Sequence, residues 1–386
     1  MSKKKRDWNQ AQEQRMKRIN SKSEAWKYIR KMGGKRGSNK EEIERKMWKE
    51  HFKKELGGEE IANNTVKEIR KENNDGIEIK EWEIDEMIRK MKLRKAVGLD
   101  GLGNEVWVHG GSKMKEILKV LIEKIGSTCE IPEGWKRGKL VPIWKGKGDK
   151  KDIKRYRGVV VMDTLCRAFA GIIERKLTEE IETKNLLSET QFGFRTGRGA
   201  MECVYIVNWL MNRKRRERDK GLCMCFMDMK SAFDKVEREK LWRMMEKREV
   251  SENLRRMIEA LYEKVEMEIW VDGRGEGAFK TKRGLRQGCP LSGILFNIYM
   301  SDLEQWLAGR QVGGIKIGNM IIRSLSFADD IIMLADSKEN MRRMMKEMEK
   351  YMERKGMEIN VEKTMVMVGK GSKWEGKVEI GWRGRK

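Results

Sequence analysis

The sequence contains very little histidine, with only His51 and His109 among its 386 residues. Catalysis of the Ser-His type, or with histidine as general acid or base, therefore has few residues available. The six cysteines are scattered and form no CxxC pair, so the sequence predicts no zinc site and favours a reducing, intracellular environment. If the protein is an enzyme, we expect carboxylates to carry its chemistry.

Long hydrophobic runs are missing as well. The longest uninterrupted apolar stretches, such as residues 331–335, are far too short to cross a bilayer. The basic N-terminus at residues 1–6 is not followed by the apolar segment of a secretory signal. The sequence thus predicts neither a membrane-spanning nor a secreted protein, and no membrane partner.

Positive charge, in contrast, is in large excess. The chain has 86 Lys and Arg against 61 Asp and Glu, a formal net charge of +25. This whole-chain excess, with basic clusters at residues 3–6, 145–151 and 213–216, indicates a polyanionic partner such as RNA or DNA, although any single cluster is better explained as a solvated surface. We expect sequence-independent contacts with the phosphate backbone that weaken as the salt concentration rises.

Two helices can be predicted from periodic apolar residues. Apolar residues at three- and four-residue steps predict a helix over 291–306, with Pro290 at its start and Gly309 at its end. A methionine stripe from Met341 to Met352, followed by Gly356, predicts another. A buried core face explains this stripe better than a soft recognition surface does.

Asp228 follows the apolar run 222–227, which predicts a buried strand that ends at this aspartate. A helix is predicted to open at Ser231, with Asp234 three residues later in a capping-box-like arrangement. A carboxylate at the exit of a buried strand is costly unless a positive group meets it. A structural cap remains the alternative for Asp228 considered alone.

Apolar residues flank the pair Asp329-Asp330 on both sides, which predicts a tight hairpin with both acids at its tip. An ordinary turn is the alternative, but two adjacent negative charges do not favour one. Two unit charges 4 Å apart repel by about 4 kcal/mol at an effective dielectric constant near 20. A divalent metal would reverse this penalty.

Three carboxylates on adjacent strand ends suit two Mg²⁺ ions about 4 Å apart, with Mn²⁺ as the alternative metal. Such a site can perform in-line phosphoryl or nucleotidyl transfer, which needs placement and charge neutralisation rather than histidine.

Six segments of the sequence form an ordered set of motifs. They are RYRG at 155–158, QFGFRTGR at 191–198, FMDMKSAFD at 226–234, GLRQGCPLSGILFN at 284–297, FADD at 327–330 and GMEINVEKT at 356–364. In this order they resemble the motifs of reverse transcriptases, most closely those of non-LTR (LINE-type) retrotransposons. The first two resemble fingers motifs, the next two the first and second palm motifs, and the last two the acidic hairpin and the segment after it. A lone Asp-Asp pair is weak evidence, whereas the ordered set is specific.

The resemblance implies that Asp228, Asp329 and Asp330 are the catalytic, metal-binding aspartates. It also implies that Phe233 lies beneath the incoming sugar and excludes a 2′-hydroxyl by its bulk. An ordinary core phenylalanine is the alternative for Phe233.

The resemblance further implies that Gln287 and Gly288 shape the nucleotide pocket, glycine by allowing close backbone approach and glutamine by its amide. Arg157 and Arg195 are candidates for triphosphate or template contacts, since guanidinium groups match phosphate oxygens. Each could instead be an ordinary ion-pair partner. Lys363 is expected to reach the pyrophosphate leaving group, with a strand-edge lysine as the alternative.

For the architecture, the resemblance implies an α+β fold with the fingers and palm of a right-hand polymerase, a palm sheet backed by helices, and a truncated thumb. We expect a basic, largely helical N-terminal extension or tether over residues 1–78, an N-terminal extension and fingers over 79–220, and a palm over 221–386 that ends near the primer-grip region. The residues after Lys363 are too few for a thumb, and no room is left upstream for an endonuclease. Gly293 stands where the family usually has proline.

The predicted function is that of an RNA-directed DNA polymerase, which joins dNTPs to a DNA primer 3′-hydroxyl along an RNA template. The alternatives are an inactive nucleic-acid-binding remnant of such an element and a basic structural protein. The family resemblance implies a nuclear location, and the oligomeric state is left open.

Overall fold

The computed structural model describes residues 43–61, 76–216, 221–370 and 373–376. Residues 44–386 cluster into one compact unit. The predictions for residues 1–42 lie outside the described residues. Within the described ranges, no helix has the length and apolar character that a membrane span requires.

The helices lie mostly in the first two thirds of the chain. They are α1 (Arg45–Glu55), α2 (Glu81–Lys90), α3 (Asn104–His109), α4 (Gly111–Thr128), α5 (Thr164–Thr183), α6 (Ala200–Arg216), α7 (Arg238–Lys247), α8 (Glu252–Tyr262), α9 (Leu291–Tyr299), α10 (Leu303–Gly309) and α11 (Lys338–Lys355), with short 3₁₀ turns at Glu133–Lys136 and Ile153–Arg155.

The strands form two five-stranded sheets and one small hairpin. They are β1 (Gly58–Glu59), β2 (Arg137–Trp144), β3 (Tyr156–Val161), β4 (Gly221–Met227), β5 (Glu266–Val271), β6 (Arg274–Thr281), β7 (Ile315–Ile317), β8 (Met320–Ile322), β9 (Ser324–Phe327), β10 (Asp330–Ala335), β11 (Met365–Lys370) and β12 (Lys373–Gly376).

The first sheet has the order β1-β6-β5-β2-β3, and only the β2–β5 pair in it is parallel. It takes strands from both sides of residue 220, so the predicted fingers and palm segments are interleaved in this sheet. The domain boundaries themselves stay predictions.

The second sheet is antiparallel with the order β12-β11-β4-β10-β9. Its face formed by Leu222, Met224 and Leu334 is covered by α6, through residues such as Leu210. Helix α11 also packs on β4 and β10. Because side chains alternate along a strand, Cys223 and Cys225 point to the opposite face, and both are buried. This confirms the predicted α+β class with a palm-type sheet backed by helices.

The methionine-stripe helix is confirmed as α11. The Ser337 hydroxyl caps its start by accepting from Asn340 N (3.2 Å), and Gly356 ends it with a left-handed φ of +66°. All methionines of the predicted stripe are buried, as a core face requires; they are Met341, Met344, Met345, Met348 and Met352.

The prediction of one helix over 291–306 is wrong, because the run divides into α9 and α10. The buried Lys355 Nζ donates to Tyr299 O (2.6 Å) and pairs with Asp302 (2.9 Å). Tyr299 O is the group that Leu303 N would use in a continuous helix, and Leu303 N donates to Met300 O instead.

The prediction of a helix opening at Ser231 is also wrong. Residues 230–235 form a single turn, and α7 begins only at Arg238. Ser231 has a φ of +49°, which a helix N-cap residue does not adopt. Asp234, its predicted capping partner, accepts a hydrogen bond from the Gln287 side chain instead.

Candidate active site

Asp228 lies directly after β4, a central strand of the second sheet, as the sequence predicts. Its half-buried carboxylate accepts from Asn360 Nδ2 (2.9 Å), and Asp228 O accepts from Asn360 N (2.8 Å). Lys363 Nζ lies 3.1 Å from the same Oδ2 atom. The segment after α11 therefore holds this carboxylate through one amide and one ammonium group.

The predicted acidic hairpin is formed by β9 and β10, with Ala328 and Asp329 as its two turn residues. Ala328 takes the left-handed conformation (φ +57°) that such a turn needs. Asp330 is the first residue of β10. Because Ile331 pairs with Met227 across the sheet, Asp330 lies next to the end of β4 and thus beside Asp228.

The three aspartates influence one another electrostatically. Burial raises the pKa of Asp329, and the charges of Asp330 and Asp228 raise it further. Burial also raises the pKa of Asp330, and again the Asp228 charge adds to the effect. Lys363 opposes both shifts. The structure thus brings the three predicted carboxylates together with one lysine ammonium among them.

As the side chains stand, no group of three or more His, Cys, Asp or Glu residues in the described ranges is arranged to hold a metal ion. The donor chemistry nevertheless fits a hard divalent cation, since carboxylate oxygens are the ligands that Mg²⁺ prefers. The repulsion that raises the pKa of Asp329 and Asp330 is also what such a cation would relieve. Lys363 is the positive group that meets Asp228 in this conformation.

The segment before α6 holds the hairpin from its outer edge. Phe192 N donates to Ser326 O (2.8 Å), and Ser326 N donates to Thr190 O (2.8 Å). The Gln191 amide oxygen accepts from Ala328 N (3.4 Å), the residue before Asp329. Sequence reasoning did not single out Gln191, although it lies in a segment that carries the family resemblance.

Gln287 and Gly288 lie where the second predicted palm segment meets β3. Gln287 O accepts from Val160 N (2.7 Å), and Gly288 has a φ of +121°. A Cβ atom at position 288 would lie 2.6 Å from Val160 O, so only glycine fits here. The Gln287 amide donates to Asp234 Oδ1 (2.8 Å), and burial raises the pKa of Asp234 to about 7.

Phe233 is half-buried in the turn between these elements. Its ring stacks on the buried Phe296 ring (centroids 4.9 Å apart), and the Phe194 ring meets it edge-on (6.3 Å). Phe233 is therefore fixed among other rings while one part of it stays accessible. This placement is compatible both with a sugar contact and with the core alternative.

Cations gather near the ends of β2 and β3. Arg157 is exposed on β3, and Lys145 lies just after β2. Burial lowers the pKa of Lys145, and the nearby charges of Lys363 and Arg157 lower it further, while Asp234 raises it. Lys145 was recognised in the sequence only as part of a basic cluster, because nothing in the local pattern separates it from its lysine neighbours.

Arg195 does not lie free for a nucleotide contact, which corrects that prediction in favour of the ion-pair alternative. It is 5% exposed, and its guanidinium donates to both carboxylate oxygens of Glu182 (2.8 and 2.6 Å). It also donates to Ser188 O (2.9 Å) and Gln191 O (3.4 Å). The guanidinium donors of Arg195 are therefore bound to other groups of the protein.

Comparison with known proteins gives relatives among mobile elements. The chain is 27% identical over 291 residues to the "Retrovirus-related Pol polyprotein from type-1 retrotransposable element R2" of Nasonia vitripennis, covering 74% of this chain and 27% of the relative. It is 25% identical to the "RNA-directed DNA polymerase from mobile element jockey" of Drosophila funebris (66% and 27%). It is 27% identical to the "Transposon TX1 uncharacterized 149 kDa protein" of Xenopus laevis (73% and 21%). The chain thus spans about a quarter of the length of these relatives.

Among solved structures, apo telomerase from Candida tropicalis, truncated from its C-terminal domain, aligns with a TM-score of 0.44 and 16% identity, over 63% of this chain and 52% of that one. Residues 148–381, more than half of the chain, match the family described as "Reverse transcriptase (RNA-dependent DNA polymerase)". All six segments that carry the resemblance begin within these residues. The chain belongs to the reverse transcriptase family.

Proposed function

We propose that the protein acts as an RNA-directed DNA polymerase of the non-LTR retrotransposon type, which extends a DNA primer with dNTPs along an RNA template. The observation that carries this proposal is the convergence of Asp228, Asp329 and Asp330 at the ends of β4 and β10, where burial and mutual repulsion raise the pKa of the last two. The net charge of +25 suits a nucleic-acid substrate.

Reverse transcriptases in general use divalent metal ions. In this chain we propose that Asp228, Asp329 and Asp330 hold Mg²⁺, with Mn²⁺ as an alternative. When bound, the metal would lower the pKa of the primer 3′-hydroxyl and neutralise charge on the phosphates. Lys363 would then leave Asp228 and become available to phosphate oxygens.

The chain's own residues would bind and orient the nucleotide. Lys145, Arg157 and Lys363 lie close enough for their charges to interact, so together they suit a triphosphate. Phe233 would support the sugar and exclude a 2′-hydroxyl. Gln287, fixed by Asp234 and Val160, would present its remaining amide atoms to the nucleotide.

A primer-extension assay tests the proposal, with a DNA primer on an RNA template, dNTPs and Mg²⁺. We expect the wild type to extend the primer. In Asp329→Asn the extension rate should fall by about 100-fold or more, because a group that stabilises the charge of the transition state is then missing. Asp272→Asn, in the exposed β5–β6 turn, is the matched control and should extend like the wild type.

Extension by Asp329→Asn at the wild-type rate would contradict the catalytic assignment. If the wild type binds RNA but does not extend the primer, the remnant alternative is correct. Binding that survives loss of all three aspartates, with no effect of Mg²⁺ on thermal stability, would favour the basic structural protein. A nuclear location remains part of the proposal.

A further inference from the structure

Phe194 is held in an unusual conformation between two fixed neighbours. Its φ of +53° is a left-handed value that is costly for a bulky residue. Before it, Gly193 O accepts from Asn297 Nδ2 (2.6 Å), and after it Arg195 is bound to Glu182. A strained conformation of this kind persists only where the surrounding structure imposes it.

The Phe194 ring lies in a notch that exists because residue 293 is glycine. A Cβ atom at position 293 would lie 2.7 Å from Cδ2 of the ring and closer still to Cγ and Cδ1. Real Cβ atoms do not approach ring carbons this closely, so any other residue would displace the ring. Gly293 is also the position at which the sequence departs from the family's usual proline.

From this notch the ring reaches the predicted nucleotide pocket. It meets Phe233 edge-on at an interplanar angle of 86°, while Phe233 also stacks on Phe296 at 25°. Phe296 is fully buried, whereas 54% of Phe194 is exposed. Phe233 therefore contacts both a core ring and a ring that faces solvent.

We propose that Phe194 is a positioning residue for discrimination between deoxy- and ribonucleotides, which acts by limiting how far the Phe233 ring can tilt. The inference rests on the proposed function. Without Phe194, Phe233 keeps only one of its two ring contacts, that with Phe296, and can tilt away from the sugar, which leaves room for a 2′-hydroxyl. Gly293 is the residue that makes this arrangement sterically allowed.

The test is the ratio of kcat/KM for a dNTP to that for the matching rNTP. Phe194→Ala should lower this ratio by about 2- to 12-fold, the range that corresponds to the strength of an aromatic pair. Phe194→Tyr keeps the ring and should retain the ratio, as should Met201→Ala, which removes an exposed apolar side chain from α6. If the wild type incorporates nucleotides normally but the ratio is unchanged in Phe194→Ala, the inference about Phe194 is wrong and the proposed function still stands. No incorporation by the wild type overturns the proposed function together with it.

A double-mutant cycle tests the notch itself. Gly293→Ala in the wild type should lower both the discrimination ratio and the thermal unfolding midpoint, because the new Cβ displaces the ring. In the Phe194→Ala background the same change should cause no further loss, since the clashing ring is gone. Equal losses in both backgrounds would show that Gly293 and Phe194 act independently. This result would contradict the claim that glycine is needed at position 293 to make room for the Phe194 ring.

Discussion

Asp234 provides a specific prediction about pH, because its half-buried carboxyl lies beside Gln287. Burial is the main reason why the pKa of Asp234 rises from 3.8 to about 7; the Glu55 charge adds to the shift, and Gln287, Lys145 and Arg283 oppose it. The folded carboxyl thus keeps its proton up to about pH 7, whereas the unfolded one loses it near pH 4. The folded state binds more protons across this interval, so the free energy of unfolding falls as the pH rises through it.

The magnitude follows from the two pKa values. At about 1.4 kcal/mol for each pKa unit, the ionised carboxyl lowers the stability by at most about 4 kcal/mol above pH 7. Asp234→Asn removes this charge but keeps an oxygen that accepts from the Gln287 amide. We therefore expect the variant to be more stable than the wild type by up to that amount at pH 8, but by only about 1.6 kcal/mol at pH 5, because ionisation of the unfolded wild-type carboxyl favours unfolding by about 1.4 kcal/mol for each pH unit above 3.8.

Urea unfolding of both proteins at pH 5 and pH 8 measures the effect. Asp272→Asn controls for removing an aspartate from an exposed turn and should show no such dependence on pH. A stability difference between Asp234→Asn and the wild type that is the same at both pH values would refute the reasoning. So would a variant that is less stable than the wild type at pH 8.

Two further changes probe the framework around the site. Arg195→Met should lower the free energy of unfolding by about 1.5–3 kcal/mol, because the half-buried Glu182 loses the charged hydrogen-bond donors of Arg195; a urea midpoint equal to that of the wild type would argue against this. Gly288→Ala should weaken dNTP binding, because its Cβ would push Val160 O, and with it β3, away from Gln287. Nucleotide titration of the folded variant measures this effect, and unchanged affinity would show that the contact does not shape the pocket.

The elements that sequence reasoning predicted well are those specified by local patterns. The strand ending at Asp228 and the hairpin around Asp329 are each defined by apolar residues within a few positions of the aspartate, and both are present. The methionine helix has its own capping residues, so its bounds also follow from nearby sequence. The three carboxylates could be proposed as catalytic because charged residues next to a buried strand can be recognised in the sequence without knowledge of the fold.

Two of the wrong predictions depend on a partner from another segment of the chain. The helix over 291–306 breaks because Lys355, over 50 residues later, takes the carbonyl of Tyr299. Arg195, in the loop before α6, is bound by Glu182 of α5, so it is not available for the predicted nucleotide contact. A single sequence shows that an arginine or a carbonyl is present, but not which distant group will bind it.

The shape of the proposed nucleotide pocket depends on such contacts between separate segments of the chain. Val160 N binds Gln287 O, Asn297 binds Gly193 O, and Phe192 N binds Ser326 O, so main-chain groups join segments that the sequence analysis treats as separate motifs. Because every residue has main-chain groups, the sequence does not show which of them will form these bonds. The carboxylates that they surround, in contrast, can be identified in the sequence. The type of reaction can therefore be predicted from this sequence alone, whereas the selectivity for the nucleotide cannot be predicted without the fold. The discrimination attributed to Phe194 depends on where Asn297 and Glu182 hold the backbone on either side of it.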